Sequence, residues 1–493
     1  MKIGTTVNDF ERTDLMNRAS GVLMHISTLY GDYSIGSFGK NAKEFVDFLR
    51  DCGFSYWQVL PFNMSDECGS PYKSYGAFSG NPYFVDLESL AQKGLLTASE
   101  LAAAKQKTPY SCEFERLECE RLTLLKKAAA RVCREEREKI ERIISSKKSI
   151  FDFCRFMALK EANNYTEWNE WTTESYDAET LFAWEFIEYE FLAQWSDIRA
   201  YANKKGIKII GDIPIYVAYD SSDVWANKNE FQLDSNGRLK AVAGVPPDYF
   251  AKDGQLWGNP IYDWNAMKKN GFYWWSERLK YMLELFDGVR IDHFRGIESY
   301  WSIPADAKTA KDGKWVKGPG RKFVDMARKL AGENLIIAED LGDITEDVVK
   351  LVDYSGFPGM RVLQFAFLGE PDSPHLPHNY INNCVAYTGT HDNNTLLGYM
   401  WEAEDGVRRR VIDYCGYMGE DWDKSYDNII RAMLASHAGL VIIPIQDLLN
   451  FGSDTRMNIP GSAEGNWRYR ITREQLERID RAKYKYYNEL YSR

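Results

Sequence analysis

Three acidic residues stand where short apolar runs rich in β-formers end: Asp292 after Phe286-Asp-Gly-Val-Arg-Ile, Glu339 after Leu335-Ile-Ile-Ala, and Asp392 after Cys384-Val-Ala-Tyr-Thr-Gly-Thr-His. They lie 47 and 53 residues apart, each behind a buried-strand signal, so a parallel sheet or barrel would gather all three on one rim. Arg290 precedes Asp292 by two positions, and side chains alternate along a strand, so both face the same way. A guanidinium there favours the ionised carboxylate, which is a nucleophile. A structural ion pair at a strand end is the plainer alternative.

Glu339-Asp340 ends its strand in the same manner, and one of the two must point away from the rim. Glu339 is the inward choice, because its side chain reaches further and Asp340-Leu-Gly reads as the turn out. Beside an ionised Asp292 its proton affinity rises, which suits a general acid; a solvated acid pair is the alternative. His293 and His391, two of only six histidines, adjoin Asp292 and Asp392. A neutral imidazole can hydrogen-bond a hydroxyl, whereas a core histidine satisfied by backbone would do no chemistry. Asn393 extends the polar run His391-Asp-Asn-Asn-Thr395. Asp212, in Gly211-Asp-Ile-Pro-Ile-Tyr216, is a fourth acid leaving an apolar run, placed to orient a hydroxyl or to hold the arginine.

Two opposed carboxyls, a third acid, an arginine and imidazoles suit glycosidic-bond cleavage: one carboxylate attacks the anomeric carbon while the other protonates the departing oxygen. The competing chemistry is an enolase-like barrel with Asp292, Glu339 and Asp392 as Mg²⁺ ligands. Arg290 argues against it, because a fixed cation opposes a divalent ion. No metal and no cofactor are expected.

The net charge of −11 disfavours nucleic acid and anionic membrane as partners. Eight scattered cysteines without a C-x-x-C pair or zinc spacing read as reduced thiols. Met1 to Asn8 lacks a signal pattern, and no apolar run approaches bilayer length, so a cytoplasmic location is expected. With 15 Trp, 30 Tyr and 25 Phe, the composition hints at saccharide binding, since sugar rings present flat C–H faces to aromatic rings.

Eight strand-like runs must position these residues: those beginning at Gly21, Tyr56, Ile207, Gly288, Asn334, Met360, Cys384 and Leu440. Helical stretches such as Gly39 to Cys52, Trp275 to Phe286, Asp343 to Val352 and Arg408 to Tyr414 alternate with them. The pattern predicts an α/β fold, a (β/α)8 TIM barrel spanning residues 1–493. A mainly helical insertion over 87–203 separates strands 2 and 3, and no C-terminal β-sandwich follows. Thr97-Ala-Ser-Glu100 and Thr472-Arg-Glu-Gln475 are capping-box signatures. The Gly/Pro-rich stretch 243–260, with Tyr249, Phe250 and Trp257, reads as a lid loop, and a polar-aromatic loop at Ser70 to Tyr83 flanks the same cleft.

The set Asp212-Ile-Pro-Ile-Tyr, Arg290-Ile-Asp-His, Glu339-Asp-Leu-Gly and His391-Asp-Asn-Asn-Thr strongly resembles the 4-α-glucanotransferases, or amylomaltases, of the α-amylase clan. So do Ser70-Pro-Tyr72 and Gly254-Gln-Leu-Trp-Gly-Asn-Pro260, and the resemblance runs almost end to end, from Ser20-Gly-Val-Leu to Asn458-Ile-Pro-Gly461. The resemblance implies a retaining enzyme with Asp292 as nucleophile, Glu339 as acid/base and Asp392 as transition-state stabiliser. It implies that Arg290 and His293 flank the cleaved linkage, that His391 and Asp212 also bind the donor sugar, that Trp257 and Tyr72 are acceptor-side platforms, and that Phe250 tips the lid. Malto-oligosaccharides and other 1,4-α-glucans would be donor and acceptor, with glucose as acceptor or product. An α-amylase-like hydrolase and a non-catalytic glucan-binding protein are the alternatives.

Overall fold

The computed structural model describes residues 18–65, 69–247, 252–369, 371–419, 421–462 and 464–493. Met1 to Asn8, Cys68, Tyr249 and Phe250 lie outside them. In chain order, β1 (Ala19–Leu23), β2 (Tyr56–Gln58) and β3 (Lys208–Ile213) are barrel strands, while β4 (Ala241–Val245) and β5 (Gln255–Pro260) leave the barrel. The chain returns in β6 (Gly288–Ile291), leaves again in β7 (Ser299–Pro304) and β8 (Lys314–Lys317), and completes the barrel with β9 (Leu335–Ala338), β10 (Gly359–Val362), β11 (Cys384–Tyr387) and β12 (Leu440–Pro444).

The barrel closes in the order β1-β12-β11-β10-β9-β6-β3-β2, and every neighbouring pair is parallel. These are the eight predicted runs. They were visible because helices cover the outer face of a parallel barrel, so both faces of each strand are apolar; β1, β6, β11 and β12 are buried throughout.

Between β2 and β3 the chain is helical, ending in the 27-residue helix Ala178–Lys204. The C-terminal half of that helix belongs to the barrel: the Trp195 ring lies 4.6 Å from Phe62 and 5.7 Å from Phe286. Its N-terminal half packs on helix Lys148–Ala162, as where Trp184 meets Phe153 at 6.0 Å. Both capping boxes form, at Thr97 and Thr472. After β12, the described chain passes through short helices to Arg481–Leu490. Among the described residues no helix is long and apolar enough to cross a membrane.

A second sheet was not foreseen. The order β5-β4-β7-β8 is antiparallel, and it turns much of the segment read as a lid loop into paired strands. Gly244, Gly258 and Pro260 hid the strand signal, because glycine and proline score as turn residues. Here glycine serves close approach: a Cβ on Gly244 would meet the Gln255 carbonyl oxygen at 2.2 Å, beside the register shift in the β4–β5 pairing.

Helix Ala178–Lys204 also fixes the loop that follows β2. Gly80 N–H donates to both Glu188 carboxyl oxygens at 3.0 Å, and a Cβ on Gly80 would lie 2.3 Å from Phe191 Cγ. Gly80→Ala is expected to lower stability by about 1–3 kcal/mol through overpacking. The measurement is urea unfolding; an unchanged midpoint would show that the helix does not seat against Gly80.

Candidate active site

Strand register builds the site. Asp212 on β3 is directly opposite Arg290 on β6, and Ile291 is opposite Ala338 on β9. The ladder continues one step past the strand ends: Asp292 N–H donates to Ile213 O at 2.9 Å, and Glu339 N–H to Ile291 O at 3.1 Å. Asp292 and Glu339 therefore emerge side by side on the C-terminal rim.

Arg290 is buried and reaches three oxygen-bearing side chains. Its Nε donates to Asp212 Oδ1 at 3.0 Å, and its Nη2 donates to Asp212 Oδ2 at 2.9 Å and to Asp292 Oδ1 at 2.7 Å. Tyr72 OH donates to Asp212 Oδ2 at 2.6 Å and accepts from Arg290 Nη2 at 3.3 Å. Asp212 is fully buried, with both oxygens committed to these partners, so of its two expected roles the structure favours holding the arginine. Tyr72 stacks on His391, 5.0 Å between centroids and 16° between planes, which sets it among the residues expected around the donor sugar.

Glu339 Oε2 accepts from His293 N–H at 2.6 Å, and its Oε1 accepts from Leu341 N–H at 2.8 Å. His293 reaches that position with φ +49°, a left-handed conformation that costs a non-glycine residue about 1–3 kcal/mol. Asp340 turns the other way, accepting from Met360 N–H at 2.6 Å and Arg361 Nη1 at 3.2 Å.

Burial raises the proton affinity of Glu339, and the neighbouring Asp292 carboxylate raises it further, against the pull of Arg290 and the Leu341 N–H. Burial also raises that of Asp292, opposed first by Arg290. Asp292 keeps 30 % side-chain exposure and a direct bond to the guanidinium, so it is the member of the pair that ionises first. Between the two ionisation steps of the pair, one carboxylate stands beside one carboxylic acid.

Asp392 completes the rim. Its Oδ1 accepts from Asn458 Nδ2 at 2.6 Å and lies 3.3 Å from His391 Nε2, while the side chain stays 47 % exposed. Burial lowers the pKa of both imidazoles, that of His293 to about 3, so both are neutral donors or acceptors. Trp257, partly exposed on β5, meets His293 edge-on at 5.0 Å. Asn393 Oδ1 accepts from the Thr390 N–H at 2.9 Å and the Thr390 hydroxyl at 2.8 Å, which commits it to the turn. Phe250 lies outside the described residues.

Asn458 and Arg456, whose Nη2 donates to the Asp392 carbonyl at 2.5 Å, were not singled out as site residues. Nothing local marks them, since they act across more than 60 residues of chain. Trp467, 5.8 Å from both Tyr72 and His391, was likewise one tryptophan among many. Among the described residues no group of three or more His, Cys, Asp or Glu side chains is arranged to hold a metal ion.

The family model described as 4-alpha-glucanotransferase matches residues 24–476. The chain belongs to the 4-α-glucanotransferase family. A 4-alpha-glucanotransferase of Streptococcus pneumoniae is 44 % identical over 484 residues, covering 94 % of this chain and 95 % of the relative. Another, from Clostridium butyricum, is 44 % identical over 469 residues, covering 91 % and 95 %. Among solved structures, the amylomaltase of Streptococcus agalactiae in complex with acarbose superposes with a TM-score of 0.93 at 35 % identity, over 97 % of this chain and 99 % of that one. The activity that this membership gives the chain is that of a 4-α-glucanotransferase.

Tyr72→Phe is expected to leave a buried Asp212 oxygen short of its shortest bond, lowering stability by about 1–3 kcal/mol. It is also expected to lower kcat, by loosening the guanidinium beside Asp292. Urea unfolding and initial rates check both; wild-type values in both would separate Tyr72 from the cluster.

Proposed function

We propose that the protein transfers a segment of a 1,4-α-glucan to the 4-hydroxyl of an acceptor glucose or glucan by a retaining double displacement. Asp292 attacks the anomeric carbon, Glu339 protonates the leaving oxygen, and a covalent glucosyl-enzyme forms. The acceptor hydroxyl then gives its proton to the Glu339 carboxylate as its oxygen attacks the anomeric carbon, and the bond to Asp292 breaks to release that carboxylate. The observation that carries this reading is the aligned emergence of Asp292 and Glu339 from neighbouring strands. Strands lie about 4.8 Å apart, close to the roughly 5–5.5 Å between carboxyls in retaining enzymes and short of the roughly 6.5–9.5 Å that inverting ones need.

In this reading Asp392 strengthens its hold on the donor sugar as the oxocarbenium-like state forms, with His391 and His293 as hydrogen-bonding imidazoles. Asp212 acts through Arg290. Tyr72 lies on the donor side, and Trp257 covers the acceptor side. Transfer defeats hydrolysis because a stacked acceptor gains effective concentration; well-oriented neighbours reach about 10⁵–10⁸ M. The described cysteines are all free thiols, which fits the cytoplasm as the compartment.

Maltotriose alone is expected to yield glucose and longer chains with a constant number of reducing ends. A steady rise in reducing ends would favour the hydrolase, and saccharide binding without redistribution would favour a binding protein. Asp292→Asn is expected to lower turnover by on the order of 10⁴-fold with the fold intact; near-normal rates would remove it as nucleophile. The pH profile of kcat/KM is expected to be bell-shaped. Activity falls at low pH as Asp292 gains a proton and at high pH as Glu339 loses one, with both limbs above the ordinary carboxylate values of about 4. An alkaline limb at ordinary glutamate values would contradict Glu339 as the acid.

A further inference from the structure

Asp447 sits in the short helix Ile445–Leu448 that follows β12 directly, and its side chain is buried. Its two oxygens are spent on the two ends of one loop. Oδ2 accepts from Thr388 Oγ1 at 2.5 Å, and Oδ1 accepts from Leu396 N–H at 2.7 Å. Between those anchors lie His391, Asp392 and Asn393. Burial pushes the Asp447 carboxyl up to about 6, and no neighbouring cation offsets it among the described residues. A buried carboxylate without a cation is costly, and an apolar side chain would fill the space more cheaply. What the carboxylate adds is two acceptors at a fixed separation.

Its neighbour Gln446 serves the adjoining loop: Nε2 donates to Thr455 O at 3.1 Å. That loop supplies Arg456 to the Asp392 carbonyl and Asn458 to the Asp392 carboxylate. The two loops are also joined directly, by Asn394 Nδ2 to Ser453 Oγ at 2.9 Å and by Asn458 N–H to His391 O at 3.1 Å. Asp392 itself stands half out in the cleft, so its placement is set by the loops that carry and bond it rather than by close packing around its side chain.

We infer that Asp447, with Gln446 beside it, is a positioning residue for Asp392: one dipeptide at the end of the last barrel strand braces both loops that hold that carboxylate. The inference rests on the reading of Asp392 as transition-state stabiliser. An interaction made only in the transition state lowers kcat and kcat/KM together when lost, and misplacement by about 1 Å can cost about 100-fold.

The experiment measures maltotriose disproportionation by Asp447→Ala, Asp447→Asn and Thr388→Val, with urea unfolding of each. Asp447→Ala is expected to lower kcat about 10- to 100-fold with KM within about threefold. Asp447→Asn should keep at least half of kcat, because the amide oxygen can accept from Leu396 N–H and its NH₂ can donate to the Thr388 hydroxyl. Thr388→Val, which removes one anchor, should fall between. The brace is overturned if folded Asp447→Ala keeps kcat within twofold, if the loss lies in KM alone, or if Asp447→Asn is as slow as Asp447→Ala. Should Asp447→Ala not fold, Thr388→Val decides: kcat down threefold or more at unchanged KM supports the brace, and kcat within twofold overturns it. Wild type and Asp392→Asn test the reading beneath. Absent redistribution by wild type, or a near-normal Asp392→Asn, would fail that reading and not the brace.

Discussion

A guanidinium buried among carboxylates is the constraint on which the rim depends. Arg290 keeps its charge and is buried, so its guanidinium has to be met by polar groups that are well aimed. Asp212 answers it with two bonds from the strand directly opposite, Asp292 with one from the same strand, and Tyr72 closes the group from the loop after β2. Such a cluster is a poor source of net stability compared with apolar packing. It provides geometry: Asp292 is held in one place, its guanidinium partner opposing the rise in proton affinity that burial causes, while at Glu339, a strand further, burial and the Asp292 carboxylate raise proton affinity.

The two carboxyls differ through environment rather than type. Asp292 touches the cation; Glu339 is buried and feels Asp292 as a like charge, and both arrangements follow from β3, β6 and β9 being neighbours in register. The strained His293 belongs to the same design. Its left-handed turn aims a backbone N–H at Glu339 and brings its ring against Trp257, linking the barrel rim to the second sheet. On the opposite side, Asp392 depends on loops instead of strands, and those loops are tied to each other and to the end of β12.

Much of this was legible in the chain because it is local. Strands buried on both faces leave unbroken apolar runs, so all eight barrel strands could be read, and the capping boxes at Thr97 and Thr472 are four-residue patterns. The second sheet was not legible, since Gly244, Gly258, Asn259 and Pro260 favour turns, and the sheet forms only when β4 pairs with β7 and β5 with β4. The partners of Tyr72 were not legible either, because its hydroxyl and ring are held by Asp212 and His391, contacts 140 residues away or more.

By itself the sequence determined which side chains end the barrel strands, and that Arg290 and Asp292 share a face, because periodicity two and burial are written into composition along a strand. It also carried the family. Only the tertiary structure decided which carboxylate holds the arginine, where Tyr72 stands, and that Asn458, Arg456 and Asp447 converge on the Asp392 loop. Those contacts join residues far apart in the chain, and they exist only once closure of the barrel has set strand register and brought the loops after β11 and β12 together.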